Sequence, residues 1–576
     1  MSRRLDRAAR DDAWQRLDGG VFDVLVIGGG VTGAGSALDA ATRGLSAALV
    51  EARDLASGTS SRSSKLFHGG LRYLEQRDLR LVREALHERE LMLTRLAPHL
   101  VHPVTFLYPL THRFWERPYV AAGLTIYDTL GGKRSLPRHT YLSRTKALAK
   151  VPGMRPDALV GAMQYGDGQA DDARHTMMVA RTAVDHGAVV RTSTQVVRLL
   201  REATADGIDR VVGAELRDTE TGATCRVRSR VVINCTGVWT DDIQSMVADH
   251  VPFRVRASKG IHITVPRDRI ASETGLILRT EKSVLFVIPW HDLWLIGTTD
   301  TDWHLDLAHP AASASDIDYV LDHANAVLST PLTREDIVSV YAGLRPLLAG
   351  ESDQTSKLSR EHAVSRIAPG LVSIAGGKYT TYRVMAKDAL DAALPDLPDS
   401  TGRCVTQDTL IIGADGYHEL IASVSEHAQR WRLDPDRMTR LLGRYGSLVA
   451  EVLAPIANDP RLAEPVHGAP GYLNAEVMYA VTHEGALHLD DILARRTRIS
   501  METRHRGTES AGEVARLVAP VLGWDAVRIA SEVSAYVARV EFERASQEQP
   551  DDAEAEAVRL LAPDTRHPLP VGHPHA

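Results

Sequence analysis

Apolar residues fall in short unbroken stretches near the start of the chain. Phe22 to Ile27 (FDVLVI) and Ala47 to Val50 read as buried parallel strands, which are covered on both faces and so carry near-continuous apolar runs. A helical pattern joins them, running through Ala41 to Gly44. Arg230 to Asn234 (RVVIN) and Leu371 to Ala375 repeat the strand pattern, each ending at a glycine-bearing turn, and a helix is predicted from about Thr380. His262 to Val265 and Val284 to Ile288 alternate as pieces of an antiparallel sheet do. From about Thr406 the texture changes: Arg437 to Leu453, Ala475 to Leu487, Gly512 to Val521 and Asp525 to Phe542 carry apolar residues at helical spacing. The pattern fades at both ends, so residues 1–19 and 546–576 are expected to be flexible tails, the second because it is rich in acids, proline and polar residues. No apolar run approaches the roughly 18–20 residues that a membrane-spanning helix needs. Nothing hydrophobic follows Arg3-Arg4 either, so export is not expected.

The first strand runs directly into Gly28-Gly29-Gly30-Val31-Thr32-Gly33, a G-x-G-x-x-G. Gly28 permits the tight turn, Gly30 lets the backbone approach a pyrophosphate, and Gly33 lets helix and strand pack closely. The helix N-terminus offers N–H groups and partial positive charge to phosphates. Glu51 ends the second strand, 23 residues after Gly28, where a carboxylate accepts hydrogen bonds from ribose hydroxyls. An acid there favours a free 2′-hydroxyl, hence FAD or NAD over NADP, and this unit alone does not separate those two. The next segment, Asp54 to Tyr73 (DLASGTSSRSSKLFHGGLRY), supplies hydroxyls at Thr59, Ser60 and Ser64 and the cationic or aromatic groups Lys65, His68, Arg72 and Tyr73. Such a loop can wrap a long cofactor.

GGGVTGAG followed by ASGTSSRSSKLFHGGLRYLE resembles the flavin-dependent glycerol-3-phosphate dehydrogenases, the respiratory type that passes electrons to quinone. The likeness continues through Asn234 to Trp239, Lys259-Gly260-Ile261-His262, Ile296 to Asp300, Gly343-Leu344-Arg345-Pro346-Leu347 and Gly376-Gly377-Lys378-Tyr379-Thr380-Thr381-Tyr382-Arg383, and covers about Phe22 to Phe542. Tyr379 stands where relatives often carry Trp or Leu. The resemblance implies an α/β architecture: a FAD-binding, Rossmann-like doubly wound domain from residues 20–100, 160–250 and 345–400, an antiparallel-sheet domain capping the substrate from 101–159 and 251–344, and a C-terminal α-helical domain over 405–545. It implies oxidation of sn-glycerol 3-phosphate to dihydroxyacetone phosphate with FAD as cofactor and a membrane quinone as acceptor. Gly237, Gly377 and Thr380, at the ends of the later strands, join the cofactor site.

The resemblance further places Arg72, Tyr73, His262, Arg345, Arg360 and Lys378 in the substrate pocket. A phosphate dianion calls for fixed cations, and the planar fork of Arg binds two oxygens at once. Arg72, Tyr73 and Arg360 are expected to hold the phosphate, with Arg345 and Lys378 stabilising charge near the reacting C2 oxygen and the flavin. His262 has the intrinsic pKa of a general base near pH 7; Arg345 is the other proton relay to weigh, against its very high pKa.

Composition narrows the alternatives. Hydrophobic residues at 44% and charged residues at 24% are ordinary for a globular protein, and a formal charge of −7 does not suggest a nucleic-acid binder. Cys225, Cys235 and Cys404 are too few for a disulfide framework. There is no HExxH, CxxC, G-x-S-x-G or P-loop, and no metal is expected, the Asp171-Asp172 and Asp241-Asp242 pairs reading as acidic helix starts. His567, His573 and His575 belong to the expected tail, and Trp239, Trp290 and Trp294 are expected in strand cores.

Between His112 and Lys150 lie Arg113, Arg117, Lys133, Arg134, Arg138, Arg144, Lys146 and Lys150, opposed by Glu116 and Asp128 and interleaved with Phe114, Trp115, Tyr119, Leu124, Ile126 and Tyr127. This segment suits docking on anionic lipid, which gives a cytoplasmic protein peripheral on the inner face of the cell membrane. A homodimer stays open. The rival readings are an oxidase handing electrons to oxygen with release of hydrogen peroxide, an amine or amino-acid oxidase sharing the cradle, and a non-enzymatic flavoprotein.

Overall fold

The structure is a computed structural model that describes residues 4–70, 78–112, 114–130, 135–203, 207, 209–248, 251–281, 284–349 and 361–569. Val24, Leu25 and Val26 are fully buried, as a strand covered on both faces demands. That strand, Val21–Ile27, pairs in parallel with Ala47–Val50 on one side and Thr224–Asn234 on the other. Val189–Arg191 and Leu371–Gly376 extend the parallel core, and His362–Ala368 closes one edge in the antiparallel sense. The register is level: Ile27 lies opposite both Val50 and Asn234, and Asn234 lies opposite Ser373. The turns after all four strands therefore leave the sheet at one edge. Helices Val31–Thr42, Asp172–Asp185 and Tyr382–Ala393 pack together on the sheet.

A second sheet of ten mostly antiparallel strands forms the cap. Its central strand, Val255–Pro266, pairs with Leu293–Gly297 and, over ten residue pairs, with Ser339–Leu348. Gly161–Ala170 also belongs to this sheet, because Val101–Leu110 pairs antiparallel with its whole length. The expected boundaries at 160 and 345 are thus corrected to about 170 and 348.

The helical region, Tyr417 to Ser546, has a cluster of its own around Val477, Leu493 and Val518. A second cluster runs without a break from Met177 and Ala180, beneath the flavin-type sheet, to Leu441 and Tyr479.

Both expected tails are corrected over their described parts. Arg7–Leu17 is a helix whose Asp6 cap accepts from the Ala9 amide, with Ala13 and Leu17 packed under the first strand. Asp552–Arg559 is a helix capped by Asp551. Beyond it, Arg566 is buried and donates twice to Asp491, at 2.9 and 2.7 Å. Gln195 then holds the Leu569 backbone through both its N–H (2.8 Å) and its C=O (2.6 Å). Long-range pairing of this kind orders a segment that its composition alone marks as loose. His573 and His575 lie outside the described residues. Among the described residues no group of three metal-ligating side chains occurs, and no helix is long and apolar enough to cross a membrane.

Candidate functional site

The level strand ends open into a cavity of about 770 Å³. Gly28 turns there with φ of +106°, and a Cβ on it would stand 2.7 Å from the Cys235 carbonyl oxygen. Gly33 sits behind the turn; a Cβ there would overlap the Gly28 carbonyl oxygen. Gly30 is the helix N-cap and brings no side chain to it, so the backbone faces the cavity; the Ser60 hydroxyl accepts from the Val31 amide at 2.9 Å. Glu51 is fixed at the wall by the amides of Gly29 (2.6 Å) and Arg53 (2.8 Å), and burial pushes its carboxyl pKa up. A bare backbone at a helix start beside a fixed acid fits the pyrophosphate and ribose of a dinucleotide.

The loop after Glu51 supplies the rest of that wall. Thr59 donates to the Leu344 carbonyl at 2.6 Å, tying the loop to the cap sheet. Thr380 meets the same loop from the other side, accepting from the His68 amide at 3.2 Å. Gly237 and Gly377 line the cavity with Thr59, Ser60, Ser64 and Thr380.

The cap sheet positions the charged end. Across the antiparallel pair Val255–Pro266 and Ser339–Leu348, His262 lies opposite Tyr341, Gly260 opposite Gly343, and Ser258 opposite Arg345. Residues two apart share a face, so these six present one surface. The glycine pair in its middle leaves room between Arg345 and His262; a Cβ on Gly260 would come within 2.5 Å of the Arg345 guanidinium. That guanidinium donates to Thr298 Oγ1 and to the Thr299 carbonyl, both at 3.1 Å, and lies 3.5 Å from Asp300. His262 stacks on Tyr341 with ring centroids 4.9 Å apart, and its Nε2 shares a hydrogen bond of 2.8 Å with Ser64. Its Nδ1 has no partner among the described residues. Burial, then Lys65 and Arg345, holds its pKa well below the usual imidazole value, so the ring is neutral at pH 7. This differs from the unperturbed value expected from sequence. Lys378 follows two glycines in the left-handed region, Gly376 and Gly377, and its Nζ donates to the Gly69 carbonyl at 3.3 Å.

Arg345, Lys378 and His262 therefore line the same cavity as the glycine turn. Arg72, Tyr73 and Arg360 lie outside the described residues. Tyr341, Thr298 and Gln195 are the site neighbours that sequence reasoning left out. Tyr341 was legible as the residue two before Gly343, whereas nothing local marks Gln195. Trp290 and Trp294 are strand-core residues as expected, but Trp239 lies in a helical turn, Gly237–Trp239, and lines the cavity. Asp171 and Asp241 do sit at helix starts, and Asp171 and Asp172 in addition receive the buried Arg498 at 2.6 and 2.5 Å.

The basic segment forms an outer face. Along helix Glu116–Leu130, Leu124 and Tyr127 are buried while Tyr119 and Ile126 are exposed, and just before it Phe114 is 89% and Trp115 53% exposed. Glu116 is buried, accepting from the Thr111 and His112 amides, and Asp128 pairs with His139 at 2.8 Å, so both acids of the segment have partners within the protein. Arg113, Lys133 and Arg134 lie outside the described residues.

Residues 23–387 match the FAD dependent oxidoreductase family, and residues 404–529 match the C-terminal domain of alpha-glycerophosphate oxidase. The chain is 60% identical over 571 residues to glycerol-3-phosphate dehydrogenase 2 of Mycobacterium tuberculosis, covering 98% of this chain and 97% of that one. It is 36% identical over 544 residues to the mitochondrial glycerol-3-phosphate dehydrogenase of Mesocricetus auratus, covering 91% and 74%. Its fold superposes with a TM-score of 0.76 on the glycerol-3-phosphate dehydrogenase of Bacillus halodurans complexed with FAD, at 29% identity and over 94% and 97% of the two chains. With the glycine cradle and the fixed acid in place to receive it, FAD is the cofactor. The chain belongs to the FAD-dependent oxidoreductases and, within them, to the glycerol-3-phosphate dehydrogenases.

Proposed function

We propose that the protein oxidises sn-glycerol 3-phosphate to dihydroxyacetone phosphate and delivers the electrons to a quinone in the membrane. FAD supplies the hydride acceptor. The single observation that carries the reading is that Arg345, His262 and Lys378 share one cavity with the dinucleotide cradle.

The side chains divide the remaining work. Arg345, oriented by Thr298 and Thr299, and Lys378, oriented by Gly69, place fixed positive charge where the C2 oxygen loses its proton. That charge favours the alkoxide. His262 is neutral, the form that accepts a proton, and its hydrogen bond to Ser64 gives the ring a fixed orientation. Burial, with Lys65 and Arg345, disfavours the protonated ring, so that form is not the resting one. Arg72, Tyr73 and Arg360 anchor the phosphate in this reading. The exposed Phe114, Trp115 and Tyr119, together with the exposed Arg117, Arg138 and Lys146 of the same stretch of chain, support docking on anionic lipid at the inner face of the cell membrane, which would place the enzyme beside its quinone. The match of residues 404–529 to an oxidase domain keeps oxygen as the alternative acceptor.

The test is anaerobic. Addition of sn-glycerol 3-phosphate to the FAD-loaded protein bleaches the oxidised-flavin band, and a quinone analogue restores it faster than oxygen does. Restoration mainly by oxygen with peroxide release assigns the oxidase instead, and a flavin that stays yellow removes the substrate. His262→Ala slows the bleaching; an undiminished single turnover at every pH removes His262 as the base.

A further inference from the structure

A second cavity, of about 170 Å³, lies where the helical region meets the cofactor loop and the cap. Its lining carries eight arginines against four carboxylates, an unusual charge excess for a partly buried space. Several of these arginines are spoken for by acids behind the wall: Arg495 by Asp54 and Asp491, Arg498 by Asp171 and Asp172, and Arg566 by Asp491. The imbalance concentrates on four others.

Arg506, Arg539 and Arg559 all converge on one carboxylate, Glu543, at 2.6, 2.6 and 3.3 Å. Arg62 faces them from the cofactor loop, and its guanidinium makes no hydrogen bond or ion pair among the described residues; its backbone amide alone is bonded, to the Thr59 carbonyl at 3.1 Å. Nε and Nη1 of Arg506 and Nε and Nη2 of Arg539 are buried without an acceptor among the described residues. Asp490 corrects the deficit only in part: its Oδ2 is held by Arg495 at 2.6 Å, and its Oδ1 lies 3.3 Å from Arg539 Nε without hydrogen-bond geometry. Burial pulls Arg62 down to about 10 and also lowers Arg506 and Arg559, whereas Arg539, buried as well, is raised by Glu543 and Asp490, so the shortage of countercharge falls on the first three. Buried donors in native proteins are nearly always satisfied, and forked guanidiniums match the oxygens of a phosphate group.

We propose that this cavity is a second anion site, built to bind a phosphate dianion, free or carried on a small ester, between Arg62, Arg506, Arg539 and Arg559. It is separate from the cavity that holds Arg345 and Lys378, but Arg53, Ser57 and Arg62 line both. The Arg62 backbone also lies against Gly343, two residues before Arg345: a Cβ on that glycine would stand 2.5 Å from the Arg62 carbonyl oxygen. An occupant therefore joins the helical region to the wall of the flavin cavity and steadies the loop that holds the cofactor.

The experiment is calorimetric titration of the FAD-loaded protein with inorganic phosphate and, separately, with glycerol 2-phosphate, at constant ionic strength set by chloride. Its readout is binding, so it stands or falls independently of turnover and of the substrate's identity. The expected result is a phosphate equivalent that persists when both phosphate-anchoring arginines of the substrate pocket are replaced (Arg72→Gln with Arg360→Gln) and weakens at least tenfold in the Arg506→Gln/Arg559→Gln double variant. Glu543→Gln, which removes the competing carboxylate, tightens the same equivalent and decides the matter should the double variant not fold. A stronger response to the ester than to phosphate assigns a phosphorylated metabolite as occupant, and the reverse assigns the free ion. Absence of binding once Arg72 and Arg360 are replaced, or affinity unmoved in both the double variant and Glu543→Gln, overturns the proposal.

Discussion

The flavin cavity and the seam between the helical region and the rest of the molecule are built on opposite principles. The cavity is defined by what is missing: side chains at Gly28, Gly30, Gly260 and Gly343, and a cap sheet that leaves a gap between Arg345 and His262. The seam is defined by buried charge. Asp54, fully buried, receives Arg495 at 2.6 Å and Arg496 at 2.7 Å through both of its oxygens. His488, also fully buried, bridges Glu532 at 2.8 Å and Glu220 at 3.0 Å. Glu484 takes Arg174. A cofactor must be admitted, so its compartment is shaped by close backbone approach. Outside the arginine-lined cavity the joint between regions is closed by these ion pairs, which give orientation more than net stability.

The contrast can be broken from either side. The largest effect is expected at Gly33→Ala, since a Cβ there overlaps the Gly28 carbonyl oxygen and pushes the phosphate-facing turn out of shape. The purified protein should be colourless, with flavin content below a tenth of wild type, while its circular dichroism is kept. Asp54→Ala should do the converse: the flavin content of the folded fraction is unchanged, but stability falls by about 3–5 kcal/mol because the buried Arg496 loses its carboxylate and the buried Arg495 one of three. Denaturant titration reads this. A loss under about 1 kcal/mol would show that water, not Asp54, holds the joint.

The His488 bridge gives a third test, through pH. Burial and Arg566 pull its pKa down, but the hydrogen bonds to Glu220 and Glu532 prevail and raise it to about 9. A folded-state pKa above the unfolded value of about 6.5 stabilises fully below pH 6.5 and loses that contribution as pH rises through 9. At about 1.4 kcal/mol per unit this amounts to about 3 kcal/mol between pH 6.5 and 9.5. His488→Gln should flatten that part of the stability profile; an unchanged slope in the variant removes the bridge as its cause. The smallest effect belongs to the outer face. Replacing Phe114 and Trp115 with Ser should weaken co-sedimentation with anionic vesicles at low salt about tenfold, with flavin reduction unaltered. No binding by the wild type under those conditions removes membrane docking altogether.

What the sequence made legible follows the same division. The cradle could be read because its requirements are local: strand, glycines, helix, strand and acid follow one another, and the strand at Ala47–Val50 falls where the apolar run placed it. The shared cavity of Arg345, His262 and Lys378 was legible through motif likeness, since those residues lie far apart in sequence. The seam was not. Nothing near Arg566 announces Asp491, and nothing near Asp54 announces Arg495. Composition judged the end of the chain by its polarity, whereas ion pairs formed at long range use that polarity to build structure. The neutral state of His262 was hidden for the same reason, because burial, and then Lys65 and Arg345, act on it only in the fold.

The segment held by Gln195 has a consequence for assembly. Pro568 and Leu569 stand in the wall of the flavin cavity, whose first residues are Ile27 and Gly28. About 540 residues of synthesis separate floor from lid. On the ribosome the nascent flavin compartment therefore stays an open trough on that side until Pro568 and Leu569 have been made and have reached Gln195.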